Sequence, residues 1–507
     1  MRFTSLLIEL LRARPRLVFW LVTLLLAAIW IAVPLIFYSS PPGEVASVLA
    51  FGREYMLGTD LGPPLAFWLA DVAFRLAGNH MIGVYLLSQA CFIVAFWTLF
   101  RLSQLIVGAQ QAVLAVILTA TIAAFSFPQV EFGPNVLAEP FWALVLLNGW
   151  RVIGEGRREA WFALSMNAGL LLLTTHAGFL LIALLIVFAL ATQRGRRALA
   201  SLDPLYALIV IIVMLLPYGV FLARSNIIAL AAGGAADWRE ALARWPQLIG
   251  WLLLALAGIV LLSFANFGRL SSDPEQAPVI YRPAVDPLAR KFIFFSALAP
   301  MICASLLTVF YRLDDVIGGS GALLLPWGLA AIILAGDLIY VRRQRALRVM
   351  WGWIIAAPVL FVLGTVFVQP WIGAAEVSTM IPASEIGAFL ADNYQRRTGR
   401  PLQAVAGDPQ LAALVGYSAP RRPHLLLDAA PERTPWTSLA RFGETGGVVV
   451  WRAADTAGTP PEAIARRFPG IVPEVPRSFQ RYLNGRQPPL RIGWAIIRPK
   501  VTAAAGG

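Results

Sequence analysis

Gly58-Thr-Asp-Leu-Gly-Pro-Pro-Leu-Ala-Phe-Trp-Leu69 stands between two long hydrophobic runs and decides how the chain is to be read. Pro63 and Pro64 lack N–H groups and fix φ, so they end any helix before them and open the next at its first turn. Leu65 to Leu76 therefore predicts a short helix, apolar on one face with Asp71 and Arg75 on the other, lying along a membrane surface rather than crossing it. The surrounding loop, 39–80, adds Glu44, the pair Arg53-Glu54, Asp60, Phe67 and Trp68.

The chain outside this loop is built for lipid. Of 507 residues, 58% are hydrophobic and 14% charged, and the mean hydropathy is +0.70, which excludes a water-soluble globule. Apolar runs near 17–37, 81–100, 110–128, 135–150, 160–175, 177–193, 204–223, 246–267, 292–311, 320–341 and 350–370 predict a polytopic α-helical membrane protein with about 11 transmembrane helices. Each run approaches the ~20 residues that cross about 30 Å of hydrocarbon. The break at Thr174-Thr175-His176-Ala177-Gly178 decides the count, because one continuous helix there would flip every later segment.

Charge sets the orientation. With a cytoplasmic N-terminus and eleven spans, 19 of the 25 basic residues before Gly373 fall inside; Arg53, Arg75, Arg224, Arg239, Arg244 and Arg312 fall outside. This predicts a bacterial inner (plasma) membrane protein whose C-terminal domain is periplasmic. The net charge of +13 is then mostly loop arginine, with a topological role and contacts to membrane lipids, and no nucleic acid partner is expected. Cys91 and Cys303 both lie within spans and offer neither a metal cluster nor a disulfide framework.

The outward segments hold the unusual polar residues. Glu139 follows Asn135 by one helical turn, so both share a face of the fourth span. An ionisable group inside a span is a functional candidate by default, although a glutamate so near the interface can also snorkel outward. His176 sits at the turn between the fifth and sixth spans, read either as a structural residue or as a phosphate ligand. Trp238 and Trp245 read as an interfacial belt, with Asp237 and Arg244 beside them. Tyr311-Arg312 stands at the lip of a span, where a guanidinium can hold a lipid phosphate, or simply anchor the interface; Asp314 and Asp315 follow. The inner loop 268–291, rich in proline, reads as a connector.

From residue 374 the composition changes. The last 134 residues carry 26 of the 69 charges and no span, predicting a small outward C-terminal α/β domain, 374–507, after a membrane domain, 1–373. Ser384 to Arg397 has helical periodicity and stops at Gly399; Leu402–Ala406, Leu425–Leu427, Val448–Trp451 and Ile492–Ile497 read as strands, with Gly407-Asp408 as a turn and helix cap.

No zinc-protease, Walker A, nucleophile-elbow or cysteine-cluster motif is present. Acidic residues gathered on one face beside a surface helix suit chemistry on a lipid-linked substrate: a carboxylate takes a proton from a hydroxyl while an Arg or a cation steadies a departing phosphate. The run Gly43-Glu44 to Arg53-Glu54, Gly58, Pro63-Pro64-Leu65 and Trp68-Leu69, with Phe74, Leu76 and Gly78, resembles the first outer loop of the GT-C polyprenyl-phosphate-sugar glycosyltransferases. These include the protein O-mannosyltransferases, the lipid A aminoarabinose transferases and the rhizobial lipopolysaccharide galacturonosyltransferases. Asn135 with Phe141-Trp142, and Gly169 to Phe179, look like two further landmarks, so the resemblance spans roughly residues 15–370.

What the resemblance implies is a GT-C-like fold and an inverting transfer of a sugar from a polyprenyl-phosphate donor to an envelope lipid, glycan or protein acceptor. Glu44 would act as the base. Arg53, Glu54, Asp60, Asn135, Glu139, His176, Tyr311 and Arg312 would bind substrate, and Asn135 and Glu139 would hold a divalent cation, Mg or Mn. The chain departs from the family at Gly43, where an Asp is usual and serves as presumed base, at Asn135 in place of an Asp, and at His176 in place of a Lys. The rivals are a transporter or flippase of a lipid-linked sugar and a non-catalytic homologue.

Overall fold

The computed structural model describes residues 9–59, 61–127, 130–224, 238–267, 279–281, 284–311, 321–340, 344–372, 377–427, 434, 436–481, 485–486 and 489–500. The chain divides into two compact units. The first comprises Met1–Ala32, Tyr85–Val220 and Ala232–Leu360, and the second Val33–Val84, Phe221–Ala231 and Phe361–Gly507.

Helices dominate the first unit. Among the described residues of the whole chain, seven are long and apolar enough to cross a membrane: Pro15–Phe37, Ile82–Val107, Pro134–Ile153, Asp203–Arg224, Leu242–Phe264, Pro287–Val309 and Leu347–Phe367. Ala177–Ala191 with Gln193–Leu199 makes an eighth candidate if the bent pair is one span, while Ala109–Thr119, Ala160–Leu172 and Gly321–Leu334 are shorter apolar helices, so seven or eight of the eleven expected spans have the length to cross among the described residues. The break at 173–176 is real, so Ala160–Leu172 and Ala177–Ala191 are separate helices. Ala177–Ala191 is followed by Gln193–Leu199 after a bend of 110°, with the Thr192 hydroxyl accepting from Gly195 N–H at the corner. Pro134 opens Pro134–Ile153 at its first turn, where a missing N–H costs nothing.

Aromatic rings fill this unit's interior: Phe19, Phe96, Phe125, Trp142 and Phe292 are fully buried, and Phe292 meets both Trp150 and Phe188 at 5.3 Å. Arg158 and Arg194, expected on the cytoplasmic side, are fixed by Asp203 (Nε–Oδ2 2.8 Å) and Asp286 (Nη1–Oδ2 2.7 Å). The backbone hydrogen bond from Leu288, then Arg194, hold the Asp286 carboxyl below its usual range. The connector 268–291 carries a strand, β1 (Val279–Tyr281), paired antiparallel with β2 (Leu338–Tyr340), where only an irregular segment was expected.

The second unit joins the first outer loop to the tail. Its sheet has five strands, β3 (Ala404–Gly407), β4 (His424–Leu427), β5 (Gly447–Arg452), β6 (Arg477–Phe479) and β7 (Leu490–Ile497), in the order β4-β3-β5-β7-β6. β3 lies parallel to β4 and β5, while β7 runs antiparallel to β5 and β6. Strands β3 to β5 are almost wholly buried apolar runs, as parallel strands covered on both faces must be. Gly407 ends β3 at φ +113°, with the oxygen of Val450 only 1.9 Å from where a Cβ would stand, so no other residue fits. Asp408 then caps Pro409–Ser418, its Oδ1 accepting from Leu411 N–H at 2.9 Å, and Ala383–Thr398 ends on Gly399 at φ +67°.

Two loop helices, Val45–Gly52 and Leu65–Leu76, pack in the same unit. Their crossing depends on Gly52: a Cβ there would lie 2.2 Å from the carbonyl oxygen of Phe67. Phe51 meets Phe67 edge-on at 6.3 Å and Trp436 at 5.4 Å, and Phe74 meets Tyr417 at 6.5 Å, so both helices are seated on the tail. Gly52→Ala is expected to destabilise the protein by roughly 1–3 kcal/mol, because rigid backbone must move to admit one methyl. Thermal unfolding in detergent measures this; an unchanged midpoint would contradict the crossing described.

Candidate functional site

The centre of the loop is Asp71. Sequence periodicity places it on the polar, exposed face of Leu65–Leu76; instead the residue has no exposed surface. The reason is three partners, one hydroxyl donor and two guanidinium groups, from different points of the chain. Arg75, one turn on, puts Nε 2.7 Å from Oδ2; Tyr55 donates its hydroxyl to the same oxygen at 2.9 Å; and Arg422, which precedes β4, brings Nη1 to 2.6 Å from Oδ1, off the hydrogen-bond axis. Burial and then the bond to Asp71 push the Tyr55 phenol up from its ordinary pKa, keeping it a donor. Arg422 is only 8% exposed, donates Nη2 to the carbonyl of Leu49 at 2.9 Å, and lies 5.0 Å over the Phe74 ring.

A second pair completes this corner. Glu54, its side chain 7% exposed, has Oε1 2.6 Å from Nδ1 of His424. Arg53 lies between these anchors, half buried at the C-cap of Val45–Gly52, and its Nη1 is buried without a hydrogen-bond partner among the described residues. Burial lowers the pKa of this guanidinium; Glu54 opposes the shift, and Arg422 and Arg75 add to it. Among the described residues three arginines face two carboxylates here, an excess of positive charge that suits an anion.

Glu44 occupies the opposite end of the same helix, at the N-cap, exposed and making no side-chain cap bond; Gly43 before it adopts φ +55°. The eight residues of helix between it and Arg53 set their Cα atoms about 13 Å apart, nine rises of roughly 1.5 Å. The structure thus gathers Arg53 and Glu54, sets Glu44 at the far end of their helix, and adds Asp71, Arg75, Arg422 and His424. Arg422 and His424 carry no sequence signal, since they stand some 370 positions along the chain from their partners.

The first unit holds the other candidates. Asn135 is half buried in the first turn of Pro134–Ile153. Glu139 does not snorkel: it is 2% exposed, with Oε1 2.7 Å from where a Cβ on Gly321 would be. His176 bonds through Nε2 to the hydroxyl of Tyr218 at 2.8 Å, with the rings stacked at 26°, which supports its structural reading. Tyr311 ends the helix Pro287–Tyr311. Asp60, Asp237, Arg312, Asp314 and Asp315 lie outside the described residues. Asn135 and Glu139 would bring a cation one amide oxygen and one carboxylate. Among the described residues no group of three or more His, Cys, Asp or Glu is placed to hold a metal.

Removing Asp71 leaves Arg422 without its ion partner inside the protein. Asp71→Ala is expected to cost about 3–5 kcal/mol, and Asp71→Leu combined with Arg422→Met distinctly less, because the double change leaves one fewer buried charge unpaired. Thermal unfolding of the three proteins checks the order; equal losses would contradict it.

Residues 62–221 match the family model of the dolichyl-phosphate-mannose-protein mannosyltransferases. No curated protein matches the chain closely in sequence. In structure the chain is similar to ArnT from Cupriavidus metallidurans bound to undecaprenyl phosphate, with a TM-score of 0.61 at 13% identity over 96% of this chain and 99% of that one. It is also similar to the apo state of the same protein, with a TM-score of 0.53 at 12% identity over 95% and 97%. The chain thus shares its fold with ArnT from Cupriavidus metallidurans, and residues 62–221 are similar to the mannosyltransferase family model.

Proposed function

We propose that this chain is a membrane glycosyltransferase that moves a sugar from a polyprenyl-phosphate carrier to an envelope lipid, glycan or protein, on the outer face of a bacterial inner membrane. The observation that carries the reading is Arg53: a half-buried guanidinium, one nitrogen without a hydrogen-bond partner among the described residues, in a segment that resembles the first outer loop of these enzymes. ArnT from Cupriavidus metallidurans, which shares the fold, is bound to undecaprenyl phosphate in its crystal structure, and this supports a lipid phosphate as the anion.

In this reading the acceptor hydroxyl attacks the anomeric carbon, the bond from that carbon to the phosphate oxygen breaks, and polyprenyl phosphate leaves. Glu44, exposed and unengaged by the helix it caps, takes the acceptor's proton. Arg53 holds the phosphate as charge develops on the leaving oxygen. Asn135, Glu139, Tyr311 and Arg312 are carried as further substrate-contacting candidates. His176 is already engaged by Tyr218, which shifts the phosphate role toward the arginines.

Purified protein given an undecaprenyl-phosphate-linked sugar and envelope extract should release undecaprenyl phosphate. Glu44→Gln is expected to lower that release roughly 10²–10⁴-fold, as loss of a general base does, and unchanged release would remove Glu44 from the role. Arg53→Gln should raise the donor KM about tenfold or more, the loss of one charge-assisted contact. Binding of the donor with no release under any condition would favour transport over transfer. Adding EDTA to the same assay tests the Mg or Mn requirement.

A further inference from the structure

We infer that Arg422 and His424, contributed by the tail, are positioning residues that hold Arg53 in place for the lipid phosphate; the inference rests on the reading above. Arg53 is bracketed on each side by groups pinned from elsewhere. On its N-terminal side the Leu49 carbonyl accepts both Arg53 N–H, at 3.2 Å, and Arg422 Nη2, at 2.9 Å, so Arg422 is attached to the turn from which Arg53 leaves the helix. On its C-terminal side Glu54 is held by His424 at 2.6 Å, and Tyr55 by Asp71, which Arg422 also engages. Arg422 and His424 flank the entry to β4, whose backbone is fixed by four paired positions against β3. The rigid sheet therefore reaches the loop through two side chains.

Charge adds a second effect. His424 and Arg422 occupy Glu54 and Asp71, the two carboxylates that act on Arg53 among the described residues, and a carboxylate already engaged competes less well for the Arg53 guanidinium. Arg53 is thereby both fixed in direction and kept available. A side chain with many rotamers gains affinity for an anion when its surroundings settle its direction beforehand.

The test is a double-mutant cycle on the full-length protein in detergent, with undecaprenyl phosphate alone as the probe. Wild type should bind it, and Arg53→Gln should weaken binding about tenfold or more. Arg422→Gln leaves Asp71 with Arg75 and Tyr55 but removes a buried cation and lowers the unfolding midpoint, whereas His424→Gln keeps a donor near Glu54 and should fold with a near-native midpoint; binding is measured well below each variant's midpoint, and His424→Gln carries the test should Arg422→Gln fail to fold. Each should weaken binding severalfold, and in combination with Arg53→Gln neither should weaken it further. That non-additivity is what positioning through Arg53 requires; a merely structural role would lower affinity independently and the effects would add. Additive losses, or affinity unchanged in both single variants, would overturn the inference while leaving the function standing. Failure of the wild type to bind undecaprenyl phosphate would instead overturn the functional reading, and the inference with it.

Discussion

Asp71 is a carboxylate with no exposed surface, and the second unit is arranged so that it is never without cations. A buried charge with only part of its partners would cost several kcal/mol, so the segments that supply them must come together for either to be stable. Arg75 is local, Tyr55 comes from the loop before the proline pair, and Arg422 comes from the far end of the chain. Replacing such a group with well-packed apolar residues is often neutral in stability. The network therefore contributes less to how firmly the unit folds than to which segments meet, and in what register. The Gly52 crossing and the seat of Phe51 on Trp436 then bring the loop helices close enough for the charges to pair.

In the proposed reaction the labour divides along one short helix. Val45–Gly52 presents an exposed carboxylate at its first end and a half-buried guanidinium at its other. Groups at helix ends keep a fixed separation, so a proton acceptor and a phosphate holder placed there cannot drift relative to each other. Gly43 stands where the glycosyltransferases that this loop resembles usually carry an Asp, and the φ of +55° there is one that glycine adopts without strain. The backbone at this departure is built for glycine, and Glu44 is the remaining acid of the motif.

Much of the fold is legible in the sequence because its signals are local. Hydrophobic length marks the long helices, Pro63-Pro64 starts Leu65–Leu76 where expected, and the break before His176 separates two helices. Strands β3, β4, β5 and β7 fall on the apolar runs that predict them, while β6, three residues long, has too little pattern to see. The candidate site is legible only in part. Arg53 and Glu54 stand out as a charged pair within the loop, but Asp71 follows helical periodicity onto the polar face, and that face turns out to be covered. Amphipathic pattern reports which side is polar and not what packs there, so a buried ion network formed with residues hundreds of positions away leaves no periodic trace.

Arg422 itself adopts φ +46°, a left-handed conformation in which glycine or asparagine rests easily and a long side chain is strained. Such a position costs on the order of 1 kcal/mol or more and persists only where surrounding contacts over-determine it. Backbone preference and side-chain chemistry thus pull in opposite directions at this single residue. The ion pair with fully buried Asp71 outweighs that strain, so glycine here would relax the backbone but sever a cation that reaches both loop helices from the sheet.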